Sequence, residues 1–416
     1  MANIIANNKH YFHCCLYLFL SIVTMALYFP SLSSFWLFDD LYILRYASEN
    51  SPLNFFFNPV VWRMISFSHL TPWITASFFM DYRLFGFHYE FFYLHQLISL
   101  ALASILLYIA LRYFIRWQFA LLGSLMFLAS APAAAASQLL MIRHYLEGLS
   151  FTILSFLFAI GALRKENIFY SLLSALFYFL AMSAKEIYVP IGLVAFLLPV
   201  GHLRKRFLYL MPLLLTFFGY IYWRDFMLGQ FVAGVSDVQN VLKSYGGGWG
   251  SILLFLKNVY GSFVMFAGVN SNAVIINMII MSGIILVSLL AFLSMVRSRR
   301  YADLLFLSGL TMAVYSIPFI ASNLFYAVND FFMYRLVILI SAYLSLLTAL
   351  SLNRIYQQIV EMKNDRLRLF SKYTLTAFSV GFLLLFTLNS MNWIRHQRTT
   401  IIDPLITEGR FFMKAG

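Results

Sequence analysis

Nearly the whole of this chain divides into apolar runs about twenty residues long, which is the length a helix needs to cross about 30 Å of hydrocarbon. That pattern restricts the fold to one class. Charge is too scarce for anything else: 11% of the 416 residues are charged and 62% are hydrophobic, whereas a soluble chain of this size carries roughly a quarter charged residues. Soluble cytosolic chemistry is excluded, and an all-α polytopic membrane protein is expected.

Counting runs places spans at 12–36, 93–111, 118–140, 146–163, 168–184, 187–201, 207–223, 274–296, 304–322, 336–352 and 373–391. A further run, 251–269, is interrupted by Lys257, Asn258 and Gly261 and follows the Gly246-Gly247-Gly248 turn. Positive residues accumulate on the cytoplasmic side of a membrane, so charge arbitrates. With eleven spans and the N-terminus inside, the inner segments hold 16 of the 29 cations and 4 of the 16 acids, which leaves 13 cations and 12 acids outside. Were 251–269 to cross, Arg297, Arg299 and Arg300 would move outside and the asymmetry would weaken. The run therefore reads as a re-entrant or interfacial helix on the outer side, with the N-terminus cytoplasmic and the C-terminus outside. The net charge of +13 is then a topology signal and not a nucleic-acid footprint. Lys9 is the only cation before the first run, and no small-residue cleavage site follows it, so that run reads as an uncleaved span. Cys14 and Cys15 lie inside it and offer no disulfide framework.

Against this background Phe38-Asp39-Asp40 stands out. Two adjacent carboxylates at the outer mouth of the first span are expensive to place near lipid and point to chemistry at one membrane face. The loop that follows, about 37–92, is unusually long. It is rich in aromatic residues such as Trp62, Phe67, Trp73 and Phe85, as expected of one or two helices lying in the headgroup plane and roofing a cavity. Pro59 and Pro72 should start or break them. Other ionisable residues also gather at outer span ends. Arg143, His144 and Glu147 follow the third span, with Arg143 and Glu147 four apart on one helix face. Lys185-Glu186 fills the turn between the fifth and sixth spans, Arg224 and Asp225 follow the seventh, and Asp330 and Arg335 precede the tenth. Helix-end salt bridges would account for each pair alone; their convergence on one face beside two aspartates favours a site.

A carboxylate at such a boundary can act as general base toward a hydroxyl. Lysine or arginine nearby can hold a phosphate and stabilise the charge that develops as it leaves. A polyprenyl-phosphate sugar suits both, because its phosphate is already a good leaving group and its isoprenoid tail fits a groove between helices. The eight histidines show no metal-ligand spacing, and Gly246-Gly247-Gly248-Trp249-Gly250 lacks the Lys-Ser/Thr of a phosphate loop.

On these residues the chain resembles the GT-C superfamily of integral-membrane glycosyltransferases. Phe38-Asp39-Asp40-Leu41-Tyr42 looks like the family's acidic pair after the first span. Asn58-Pro59-Val60-Val61-Trp62-Arg63, then Asp81-Tyr82-Arg83-Leu84-Phe85-Gly86 and Tyr93-Leu94-His95-Gln96, is similar to the first-loop pattern of its mannosyltransferase-like members. Ala184-Lys185-Glu186 resembles a later Lys-Glu turn. The pattern departs at Met64, where many relatives carry proline. The resemblance covers about the first 200 residues and implies a catalytic module over 1–230 and a variable, acceptor-related module over 231–416.

The resemblance further implies an inverting transfer of a sugar from undecaprenyl phosphate to a glycan acceptor, such as O-antigen or lipopolysaccharide, at the periplasmic face of a bacterial inner membrane. Size and topology look most like the bacterial and phage serotype-converting glucosyltransferases, which would make the sugar glucose. Asp39 would be the general base and Asp40 would orient or hold the acceptor. Lys185 would contact the donor phosphate, with Arg143 a second candidate, Arg63 and His144 nearby, and Glu186 and Glu147 orienting the cations. No metal or other cofactor is implied, although paired aspartates can hold a divalent ion when a third ligand joins them. The rival readings are a transporter or flippase for lipid-linked oligosaccharide, which internal repeats and midplane charges would favour, and a non-enzymatic assembly subunit.

Overall fold

The computed structural model describes residues 2–231, 249–268, 274–320 and 331–408, and among them every regular element is helical. Seven helices are long and apolar enough to cross a bilayer: Tyr11–Ser33, Tyr89–Arg112, Leu140–Lys165, Leu203–Leu228, Met278–Arg297, Met333–Val360 and Asp365–Glu408. An eighth is the pair Trp117–Leu128 and Ala131–Gln138, bent by 52°. Gly246-Gly247-Gly248, residues 240–248 and 269–273, and Asp330 lie outside the described residues.

The elements that position the outer face are α1 (Ala2–Tyr28), α2 (Asp40–Glu49), α3 (Pro52–Phe57), α4 (Pro59–Ile65), α5 (Pro72–Phe85), α6 (Tyr89–Arg112), α7 (Trp117–Leu128), α8 (Ala131–Gln138), α9 (Arg143–Lys165), α10 (Ile168–Ala184), α11 (Val189–Leu193) and α12 (Leu203–Leu228). After them come α13 (Trp249–Ala267), α14 (Val274–Arg297), α15 (Tyr301–Ile320), α16 (Ile338–Val360) and α17 (Asp365–Gln397).

Three expected spans take a different form, each for a local reason. The run at 118–140 breaks where Ser130 caps α8, its hydroxyl accepting from the Ala133 amide at 3.3 Å, with Pro132 in the first turn. Proline suits that position because the missing amide had no helical partner there. The run at 168–184 is a 17-residue helix, α10, about 26 Å long. The run at 187–201 is not one helix but a 3₁₀ turn (Glu186–Tyr188), five residues of α11, and a second 3₁₀ turn (Val194–Leu197). Pro190 sits in the first turn of α11 and Pro199 follows the second 3₁₀ turn, and a proline cannot donate to the preceding turn. The run at 251–269 forms α13, which ends inside the protein: Met265, Phe266 and Ala267 are buried.

The long first loop carries four helices, α2 to α5, where one or two were expected. Pro52, Pro59 and Pro72 each sit in a first turn. The Asn58 side chain caps α4 by accepting from the Val60 amide at 3.0 Å, a cap that stabilises a short helix by about 1 kcal/mol. A small apolar cluster of Phe55, Trp62, Leu70, Met227 and Leu228 fastens the loop to the end of α12. The indole nitrogens of Trp62 and Trp223 find the carbonyls of His69 (2.9 Å) and Phe56 (2.7 Å), which makes the burial of both rings affordable in polar terms.

One continuous apolar core draws on both halves of the chain. Across it Asn353 on α16 accepts from the Arg116 amide at 3.2 Å. A close approach occurs at Gly148 on α9, where an added Cβ would stand 2.4 Å from the Tyr188 ring. Tyr188 is buried and donates its hydroxyl to the Tyr145 carbonyl, so its ring has nowhere to go. Gly148→Ala should therefore cost about 1–3 kcal/mol by overpacking, read as a lowered melting midpoint of the detergent-purified protein. An unchanged midpoint would show that Tyr188 yields.

Candidate functional site

The chain leaves the first span through a 3₁₀ turn, Phe29–Ser33, and reaches Phe38 in the left-handed region, at φ 53°. A bulky residue there costs on the order of 1–3 kcal/mol and persists only where its surroundings impose it. Here the imposition is visible. The Asp40 amide donates to the Leu37 carbonyl at 3.1 Å, and the Leu37 amide donates to Asp40 Oδ2 at 2.9 Å. This reciprocal closure turns two neighbouring carboxylates in opposite directions. Asp40 is completely buried, with Oδ1 making no hydrogen bond among the described residues. Asp39 is exposed and makes no side-chain cap or ion pair among them.

Asp40 therefore cannot touch an acceptor as it stands, and only an orienting role remains open to it. Burial pushes its carboxyl up to about 7, against the pull of the Leu37 and Met141 backbones and the Arg143 guanidinium, with the Asp39 charge adding to the rise. Below that value Asp40 holds its proton and is uncharged.

Arg143, at the start of α9, is also fully buried. Its guanidinium donates to Asp81 on α5, to Gln96 Oε1 on α6 at 3.2 Å and to the Phe92 carbonyl at 2.7 Å, between the faces of Phe78 and Phe92. Asp81 Oδ1 meets His95 Nδ1 at 2.8 Å, and His95 Nε2 stands 3.5 Å from Glu147. Glu147 in turn accepts from Ser77 (2.8 Å) and from the Trp73 indole (2.9 Å). The expected Arg143–Glu147 pair on one helix face does not form, because each finds a better partner on α5 or α6. With its donors spent on protein, Arg143 is a structural tie and is closed to a phosphate.

Lys185 and Glu186 separate in the same way. Glu186 pairs with Arg224, accepts from the Leu70 amide at 2.9 Å and meets His69 Nδ1 at 3.1 Å. Arg224 also donates to the Ser68 carbonyl at 2.7 Å. Lys185 is half-buried with its ammonium 5.2 Å from the Tyr145 ring centre, and it has no carboxylate partner among the described residues. His144 lies beside it: Lys185, Arg335 and His69 are close enough to act on its ring electrostatically, and its Nδ1 is buried without a hydrogen bond among the described residues. Arg63 is elsewhere, with Nε donating to the Met227 carbonyl at 2.9 Å at the end of α12. Arginine commonly closes off helix C-termini in this way.

Near the first turn of α9, Asp40 lies within reach of the Met141 backbone and the Arg143 charge, and the Lys185 ammonium lies over the Tyr145 ring. Asp81, His95, Ser77 and Trp73 complete the support, and sequence reasoning gave none of them a role. Their partners lie on other elements, so no spacing announces them. No cluster of three or more His, Cys, Asp or Glu in reach of one metal ion occurs among the described residues. Asp39 lines neither of two cavities among the described residues, one between α6, α9, α15 and α16 and one between α13, α14, α15 and α16. No family model and no curated protein matches the sequence.

Two outcomes follow from these environments. Between 3.8, the ordinary aspartate value, and about 7, folded protein holds a proton on Asp40 that unfolded chain has released, so stability falls as pH rises through that window and levels off above it. Asp40→Asn should flatten that slope in a melting series; an unchanged slope would place the titration elsewhere. Arg143→Gln strands the Asp81 carboxylate and should cost about 3–5 kcal/mol. Adding Asp81→Asn should return part of that loss, and simple additivity of the two would show that they do not act as a pair.

Proposed function

We propose that this membrane protein is an inverting glycosyltransferase that moves a sugar, glucose on the closest resemblance, from undecaprenyl phosphate to a glycan acceptor such as O-antigen or lipopolysaccharide. The observation that carries the reading is the division of the charged residues beside α9. Most of them neutralise one another in buried networks, while Asp39 and Lys185 are left without an ion pair among the described residues. A carboxylate and an ammonium left unpaired beside a membrane surface are the two groups this reaction requires.

In the proposed step Asp39 takes the proton of the acceptor hydroxyl as its oxygen attacks the anomeric carbon. The bond from that carbon to the phosphate oxygen breaks on the opposite face, which inverts the centre. The electron pair leaves on polyprenyl phosphate, and Lys185 holds that charge as it grows. Asp40, buried and bonded to the Leu37 amide, keeps the turn closed and does not meet the acceptor. Met64, Phe67, Leu84 and Phe87 on the first loop are exposed apolar side chains, suited to lie among lipid beside the donor's tail. A single base and a single phosphate-holding cation suffice, and no metal has a step in this scheme. The site would act on the periplasmic face of a bacterial inner membrane, with the N-terminus in the cytoplasm.

The test is transfer by purified protein from a panel of polyprenyl-phosphate sugars to a lipopolysaccharide acceptor. Asp39→Asn should lower the rate by roughly 10²–10⁴-fold with an unchanged melting midpoint, since Asp39 holds nothing together. Lys185→Gln should also lose activity, and more for the chemical step than for acceptor binding. Wild-type rates in Asp39→Asn would remove it as the base. Binding of a lipid-linked glycan with no transfer from any donor would make the protein a flippase or assembly subunit instead.

A further inference from the structure

The opposite end of the bundle holds a second polar feature that the transfer reaction does not use. The helix α9 runs from Arg143 to Arg164, 21 residues on, so the two ends stand about 31 Å apart. A cavity of about 360 Å³ opens at the Arg164 end, between α6, α9, α15 and α16. That volume is at the lower end of ligand pockets, roughly 300–1,000 Å³. Along α9 its wall extends from Leu149 to Arg164, roughly 22 Å at the helical rise. The deep part is apolar, with Leu107, Ile153, Phe156 and Leu339 among its walls.

Its mouth is cationic. Arg164 is exposed, stacked 5.0 Å over the Tyr113 ring, and pairs with no carboxylate among the described residues. Among the described residues Arg354 donates to Ser294, Ser298 and Gln357, all neutral. Arg300 shares the one acid of the mouth, Asp303, at 3.7 Å with both side chains partly exposed. Three guanidiniums against one carboxylate leave an excess of positive charge over a deep apolar slot. Each part demands something different of an occupant: hydrocarbon below, a delocalised anion above. Guanidinium groups match phosphate oxygens with paired donors.

We infer that this cavity is a binding site for a phosphate-headed anionic membrane lipid, with one hydrocarbon chain inserted along α9 and the phosphate at Arg164, Arg300 and Arg354. The slot is narrow for two chains, so the second would lie outside among the bulk lipid. The site is separate from Asp39 and Lys185 and does not depend on the transferase reading.

The experiment is native mass spectrometry of the full chain in detergent, supplied with phosphatidylglycerol or phosphatidylcholine. Wild type should retain one phosphatidylglycerol and much less of the zwitterionic lipid. The double variant Arg164→Ala/Arg300→Ala should reduce that retention at least roughly tenfold, as two lost cations near a headgroup imply. Ile153→Trp, which fills the slot and leaves the mouth intact, should abolish it. Equal retention of the two lipids, or retention that survives the arginine double variant, would mark ordinary boundary lipid and overturn the inference. Loss in the arginine variant with full retention in Ile153→Trp would put the headgroup on the surface and overturn the cavity. Should Ile153→Trp fold poorly, the smaller filling Ile153→Phe takes its place and should lower retention in the same direction.

Discussion

A guanidinium with no access to water, in a protein built almost entirely of apolar side chains, has to be surrounded by partners, and Arg143 sets the arrangement of everything near it. Its charge is met by Asp81, its other donors by Gln96 and the Phe92 carbonyl, and its faces by two phenyl rings. Removing a charge from water costs several kcal/mol and is recovered only through near-complete pairing. That requirement draws α5 out of the first loop and onto α6 and α9, and the Asp81–His95–Glu147 chain extends the tie to Trp73 and Ser77. A loop with four short helices is thereby held as firmly as a span. The Trp62 cluster and the Glu186–Arg224 pair do the same at its other edge.

The consequence for chemistry is selective. Once Arg143, Glu147, Glu186, Arg224 and Arg63 are engaged in holding the loop, few ionisable groups remain for anything else at that face. The turn at Phe38 then separates Asp39 from Asp40, one to the surface and one to the interior. Two residues adjacent in sequence end up in media of different dielectric, and burial raises the carboxyl of Asp40. The unpaired ammonium of Lys185 lies across the start of the same helix. At the far end of α9 the balance is reversed: cations outnumber acids at the cavity mouth, and the apolar depth below them has no polar demand.

Individual elements show where the sequence could be read and where it could not. The spans at 93–111, 207–223, 336–352 and 373–391 coincide with long helices because a twenty-residue apolar run satisfies its backbone internally whatever it packs against. The run at 118–140 is bent and the run at 187–201 is broken for the opposite reason: hydropathy is blind to a Ser130 cap or to Pro190 and Pro199, which act on backbone hydrogen bonds and not on transfer energy. In the loop, Pro59 and Pro72 announced helix starts correctly, while α2 and Pro52 went unnoticed ahead of them. For the site, the i, i+4 spacing of Arg143 and Glu147 was real but irrelevant, since partners on α5 and α6 were nearer and better oriented.

The sequence by itself determined that the chain is a multi-pass helical membrane protein, that its scarce charges gather at span ends, and that an aspartate pair closes the first span. These are one-dimensional facts, set by local composition and the thickness of a bilayer. Only the tertiary structure decided which charges are consumed in holding helices together and which are left over. That distinction depends on pairing between elements far apart in sequence, such as Arg143 with Asp81 or Glu186 with Arg224. Burial then assigns opposite environments to neighbours as close as Asp39 and Asp40, because dielectric surroundings are a property of the packed volume and not of the chain.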